Sequence, residues 1–158
     1  MSVLRIVGIG QLGHLIPGTI ANTSEGGLVI LVHKLPGSIT RRGLVCRAST
    51  NIPLSWEISQ ASERSMLGVI YEDDENPDLT WIVISGIAQV LLQDGTAAAP
   101  GNWVKTSDSQ PGHANATTVT PPDGTMPKIS ERLRELGYCL ESKTAGIDVL
   151  CSCLVSAH

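Results

Sequence analysis

The sequence predicts a mainly β protein: a small β-barrel or sandwich with an extended N-terminal arm and one short helix. Three observations lead there. Short apolar runs recur between turn signals at intervals of about 8–12 residues, the spacing of an all-β domain. The core is aliphatic: 42% of the 158 residues are hydrophobic but only 3% aromatic, with no Phe, so burial must come from many small side chains. The third observation is a pattern written twice. TRRGLVCRA at 40–48 is followed by LGVIYEDD at 67–74 and WIVISG at 81–86. AAPGNWVKTS at 98–107 is followed by LGYCLESK at 136–143 and VLCSCLV at 149–155.

Each copy runs from a Gly into an apolar strand, through a polar excursion to Leu-Gly-x-x-x-Glu, and into an apolar β run. From one Gly to the Leu-Gly glycine is 68 − 43 = 25 residues in the first copy and 137 − 101 = 36 in the second. A pattern that keeps its ends and stretches its middle describes two related β modules, about 40–92 and 98–156. Variable loops on constant ends point to a scaffold rather than a catalytic cleft.

Taken in order, residues 1–24 read as the arm and 25–158 as the β domain. Val3, Leu4, Ile6, Val7, Ile9 and Leu12 are apolar, but Gly8, Gly10, Gly13, Pro17 and Gly18 prevent a compact element. An apolar arm that buries little by itself is expected on a partner surface; the other reading is a first strand with a frayed end. Leu28–His33 is apolar on both alternating faces, so it is expected to be covered on both. Pro36-Gly37 is a turn, and GLVCRAS forms the next strand. Residues 49–65 read as a polar excursion carrying Ile52, Leu54 and Trp56. LGVIY, an acidic turn at 72–78 and TWIVISGIAQVLL follow, with Gly86 either dividing the last run or creating a bulge. After the Asp94-Gly95 turn and the Trp103-Val104 strand, residues 107–125 read as a surface loop rich in Ser, Thr, Pro and Gly. The helix comes next. Asp123 or Thr125 caps it, Pro127 suits its first turn, and Ile129, Leu133 and Leu136 make one apolar stripe. A hairpin from LGYCLE to VLCSCLVS closes the domain.

Charged residues are only 16%, which suits a surface partly covered by other subunits. The net charge is −4 without a basic tract, so nucleic acid is not an expected partner. No apolar stretch is long enough to span a membrane as a helix. The N-terminal stretch lacks the charged start and compact apolar region of a secretion signal, so the expectation is a protein made and kept in a cytoplasm.

No constellation announces an active site. His14, His33, His113 and His158 are scattered, and none sits in a nucleophile or metal motif. The acidic run from Glu72 to Asp78 lacks the mid-loop Gly and distal Glu of a calcium loop and reads as a solvated hairpin tip. Gly8-x-Gly10-x-x-Gly13 meets Pro17-Gly18 instead of a helix, so no dinucleotide cofactor is expected. Cys151 and Cys153 alternate on one strand face, and a hairpin across SKTAG would put Cys139 opposite Cys151. These thiols read first as small buried hydrophobes, then as a bridge. A zinc site comes last, because the spacing is not Cys-x-x-Cys and no His completes it. Trp81 and Trp103 lie in strands and should pack; Trp56, in a polar loop, is the aromatic expected to meet a partner. The chain reads as a non-enzyme without cofactor or metal.

Residues 83–104, VISGIAQVLLQDGTAAAPGNWV, and 136–153, LGYCLESKTAGIDVLCSC, resemble a group of tailed-bacteriophage and prophage structural proteins. More loosely they resemble the small β-barrel capsid decoration (cement) proteins. The resemblance covers roughly residues 65–155. It implies a protein on the outer surface of an icosahedral phage head, made in the host cytoplasm and carried on the virion. Its partners would be the major capsid protein and itself, as a homotrimer clamping neighbouring capsid subunits. No catalytic residue comes with the resemblance. The alternative is a phage tail or head-fibre module binding a host surface glycan, which needs exposed aromatic side chains, and Trp56 is the candidate.

Overall fold

The computed structural model describes residues 15–118 and 133–156, together with the backbone of 4–6. The protein is mainly β. Its strands are β1 (Leu4–Ile6), β2 (Ile20–Thr23), β3 (Gly27–Lys34), β4 (Val45–Ala48), β5 (Ser55–Ile58), β6 (Met66–Asp73), β7 (Leu79–Leu91), β8 (Trp103–Thr106), β9 (Ala114–Thr117), β10 (Glu135–Cys139) and β11 (Leu150–Ser156). They form one sheet in the order β1-β2-β3-β5-β4-β6-β7-β11-β10-β8-β9, rather than the two sheets of a sandwich. A further pairing of β3 with β7 returns part of that order on itself, linking β3, β5, β4, β6 and β7 in a cycle.

The order holds the same unit twice, reflected about the β7–β11 pair. In the first unit β4 pairs with β5 and β6, and β6 with β7; in the second β8 pairs with β9 and β10, and β10 with β11. Antiparallel β3–β7 corresponds to antiparallel β7–β11, so β7 closes the first unit and opens the second. The parallel contact Lys34↔Trp56 recurs as the parallel bridge Leu92↔Ala114.

The correspondence is exact in number over much of the chain. Gly101 follows Gly43 by 101 − 43 = 58 residues, and the same offset relates Gly37 to Gly95 and Leu54 to Gly112, all of them at positive φ. Hydrogen bonds repeat with it. Gly43 N donates to Ile70 O and Ile70 N to Leu44 O; Gly101 N donates to Cys139 O and Cys139 N to Asn102 O, all at 2.9 Å. Ser49 N to Ser55 O recurs as Ser107 N to His113 O, each 2.9 Å.

Gly68 and Gly137 occupy matching places, opposite Cys46 and Val104. A Cβ on Gly68 would lie 2.1 Å from Val83 O, and one on Gly137 1.8 Å from Leu154 O. Only glycine lets β6 and β10 approach the next strand so closely.

Strand β3 is covered on both faces, as its sequence predicts: Val29 and Leu31 enter one buried cluster and Val32 the other. Strand β7 runs unbroken through Gly86, with a bulge beside it. Trp81 and Val83 face the larger cluster before the irregularity, and Ala88, Val90 and Leu92 face it afterwards. The side-chain alternation therefore changes parity, the expected result of one extra residue in a strand.

Several expectations are corrected. Ile20–Thr23 pairs with β3, and Leu4–Ile6 pairs with Ala21–Thr23, so the segment read as an arm contributes two strands. The polar excursion 49–65 contains β5, and the loop 107–125 contains β9, because both short strands complete hydrogen bonding with their neighbours despite weak apolar content. The described residues contain no helix. Residues 119–132, which hold Asp123, Thr125, Pro127 and Ile129, lie outside the described residues. The expected end of that helix is otherwise engaged: Leu133 sits in a turn and Leu136 is buried in β10, where Leu-Gly serves the strand crossing just described.

Candidate functional site

Among the described residues, one gathering of reactive side chains lies in the second unit. Cys139, at the end of β10, pairs with Cys153 of β11, two residues from the expected partner Cys151. The turn is longer than SKTAG alone: main-chain bonding stops at Leu140 N to Ser152 O, 2.8 Å, and the strands do not resume until Leu150. Cys151 and Cys153 share a face because they are two apart in β11. All three thiols are buried, and their Sγ atoms lie within 4.8 Å of one another. They are unbridged.

Two of the thiols also have main-chain neighbours. Cys153 Sγ donates to Cys151 O at 3.5 Å, and Cys151 Sγ reaches Glu141 O at 3.8 Å. Hydrogen bonds from Cys139 and Cys153 pull the Cys151 pKa down to about 4, against burial and Glu141. The proton stays with the others: Cys139 is raised to about 12, first by its bond to Cys151, and Cys153 is raised by both neighbours and by burial. Cys46, buried alone in the first unit, has its pKa raised by burial, only partly offset by its bond to Gly68 O.

A second cluster joins Asp94, His113 and Asp148. His113 Nδ1 lies 2.9 Å from Pro111 O, which can only accept, so Nδ1 carries a proton. Gln110 Nε2 meets His113 Nε2 at 3.2 Å and also donates to Asp94 Oδ2 at 3.3 Å. Arg41 pairs with Asp148 at 2.8 Å. These groups satisfy one another, and the arrangement works as a tie between the turn after β7 and the segment before β9.

The acidic run 72–78 divides in two. Glu75–Asp78 is the exposed turn its sequence predicts, but Asp73 accepts from Lys34 at 2.9 Å, from Thr80 at 3.0 Å and from Thr40. Burial works to raise its pKa, yet these donors outweigh it and hold the carboxyl below the usual range. Asp74 accepts from Trp81 Nε1 at 3.1 Å. Arg42 pairs with Glu72 and lies 4.3 Å from the centre of the Tyr71 ring.

Of the residues expected to meet a partner, Val3, Val7, Ile9 and Leu12 lie outside the described residues. Leu4 and Ile6 are in β1. Trp56 is a correction: it is fully buried in β5 with Val32, Leu44, Cys46, Ile70, Ile82 and Leu91 and presents nothing to a partner. The strand alternation turns Trp56 inward and Glu57 outward, where Glu57 pairs with Arg47 at 3.2 Å. Trp81 and Trp103 are buried, as packing predicts. Sequence reasoning passed over an exposed apolar group on β10 and β11: Tyr138, opposite Leu154 in register, with Leu140 beyond it. Their alternation with buried Cys139 and Cys153 was the available signal. No protein-family model matches the chain, and no curated protein matches it either.

Proposed function

We propose that this chain is a capsid decoration protein, binding the outer surface of a phage head and holding neighbouring major capsid subunits together. The observation that carries the reading is the edge at β1. That strand ends the sheet order and bonds to β2 and, among the described residues, to no other strand, so it is the place where an added strand would pair. The exposed Tyr138, Leu140 and Leu154 supply apolar area for the same purpose. In this reading the β3-β5-β4-β6-β7 cycle and the matching second unit are two small barrels sharing β7, a spacer that brings both surfaces to the lattice. Assembly as a homotrimer would raise avidity for a symmetric shell. Such a protein stabilises the head by binding the assembled shell better than free subunits. The glycan-binding alternative loses the aromatic the sequence offered for it with the burial of Trp56, and Tyr138 is the exposed aromatic left to serve it.

The test is co-sedimentation of purified protein with decoration-free capsids. Saturation at a fixed ratio to capsid protein is the expected result, and free protein remaining wholly in the supernatant refutes the reading. A chain lacking residues 1–14 keeps β2, whose Thr23 Oγ1 accepts from Gly27 N at 2.9 Å, and should fold but bind more weakly. Light scattering on the free protein checks the trimer against the 16.7 kDa monomer.

A further inference from the structure

We propose that Cys139, Cys151 and Cys153 form a three-coordinate thiolate site for cuprous copper. This goes beyond the decoration reading and does not depend on it.

Two independent observations meet here. The first is convergence: three sulfur atoms from two strands lie within 4.8 Å of one another in a fully buried position. Sulfurs 2.3 Å from a central ion in a trigonal plane are roughly 4.0 Å apart. Closing the present triangle onto an ion moves each sulfur by about 0.5 Å or less on the same geometry, within the reach of small side-chain rotations.

The second observation is the internal duplication. The corresponding positions of the first unit are occupied without any thiol. Ile70 pairs with Ile82 where Cys139 pairs with Cys153, and Thr80, two before Ile82, stands in the place of Cys151. The architecture therefore packs this place with two isoleucines and a threonine, and packing alone does not call for cysteine. Trp56 in the first unit is matched by Ala114 in the second, through the repeated parallel contact. The second unit carries both smaller side chains and clustered sulfur.

The ligand set selects the ion. Soft thiolates favour Cu(I) and Zn(II) among biological cations. Closed Zn(II) sites take four ligands, and three-ligand ones keep an open position for water. Here the described residues add no fourth His, Cys, Asp or Glu to the group, and the three thiols are shut off from solvent. A cation content with three sulfurs fits both facts. The reaction needs no oxidant: Cu(I) and the three sulfurs, bound as thiolates, give a copper trithiolate, and the protons the thiols carry go to solvent. The net charge of the bound group is −2, and the Glu141 carboxylate beside the turn is itself paired with Lys143 at 3.3 Å.

The experiment uses the full chain, reduced and kept anaerobic, titrated with Cu(I) against a chromophoric Cu(I) chelator. The expected result is one Cu(I) per chain, three sulfurs around copper by X-ray absorption, and a rise in unfolding temperature. Cys139→Ser, Cys151→Ser and Cys153→Ser should each weaken binding at least tenfold, whereas Cys46→Ala should bind as the parent does. No uptake from the chelator overturns the proposal. So does nitrogen, oxygen or only two sulfurs around copper, or equal loss of binding in Cys46→Ala. If a serine variant fails to fold, the sulfur count on the parent chain still decides.

Discussion

Replacing Gly68 with alanine tests the strand-crossing account directly. The glycine has no positive φ, so its role is steric and an alanine backbone is not itself strained there. The added Cβ would lie 2.1 Å from Val83 O and 2.9 Å from Ile82 Cγ2, where ordinary contact begins at 3.4 Å. The first neighbour is main chain paired in β7 and cannot rotate away, so β6 and β7 must separate by about 1 Å, in strands normally about 4.8 Å apart. Overpacking of this kind costs about 3 kcal/mol at the upper end of its usual range. Loss of one ladder hydrogen bond adds about 1 kcal/mol. A total of about 4 kcal/mol lowers the unfolding midpoint by roughly 8–16 °C in a domain of this size. The control is Gly95→Asn, at φ +80 with nothing within 4 Å of a Cβ. Asparagine tolerates that region, so a fall of no more than about 4 °C is expected there. Thermal unfolding followed by circular dichroism gives both numbers. If Gly68→Ala melts within 4 °C of the parent, the close approach of β6 to β7 is wrong.

Trp56→Ala should cost about 3–5 kcal/mol, because it empties a fully buried site, and chemical denaturation should show a lower midpoint with an unchanged slope. A partner-facing tryptophan would instead leave stability almost untouched. Asp73→Asn bears on acid stability. The carboxyl is held below its ordinary value in the folded chain, so its contribution is present above the unfolded pKa and is lost as pH falls through the folded one. The parent and Asp73→Asn should therefore differ most in unfolding temperature near neutral pH and converge below about pH 3; a difference that persists at low pH would assign the effect to lost packing instead.

The strands that were legible in the sequence are those whose apolar character exceeds what a loop would carry. Leu28–His33 and Thr80–Leu92 are long enough for their alternation to show, and the bulge expected at Gly86 falls two residues earlier, at Ile84. Strands β5 and β9 were not legible. Ser-Trp-Glu-Ile and Ala-Asn-Ala-Thr have one or two inward side chains each, and neighbouring strands impose their pairing. A constant offset would have revealed them, since Gly37, Gly43, Ser49 and Pro53 recur as Gly95, Gly101, Ser107 and Pro111. The eye is drawn instead to the Leu-Gly motifs, whose separation shifts to 137 − 68 = 69 after the longer second excursion. The thiol cluster was half legible. Alternation placed Cys151 and Cys153 on one face, but the partner of Cys139 depends on the register, and a two-residue change in turn length moves it from one to the other.

What the two units share, and what they do not, separates architecture from chemistry. The shared positions are glycines of two kinds. Gly37, Gly43, Gly95 and Gly101 sit at positive φ and fix the turns that enter β4 and β8; Gly68 and Gly137 admit the main chain of the following strand, Gly137 at positive φ as well. Both kinds constrain backbone, so they are what a duplicated scaffold must retain to fold. The side chains inside the units answer only to volume, and there the copies diverge. The first fills its interior with Trp56, Ile70 and Ile82, whereas the second places Ala114, Cys139 and Cys153 at the matching positions. Exchanging Cys139 and Cys153 for isoleucine would make the second unit resemble the first. Ala114 stands there in place of the first unit's tryptophan, so the added volume of two isoleucines is set against a smaller neighbour, and such a chain should fold with near-parental stability while binding no copper. Collapse of that double variant would show instead that the thiols are held for packing, and the duplication argument for a metal site would fall with it.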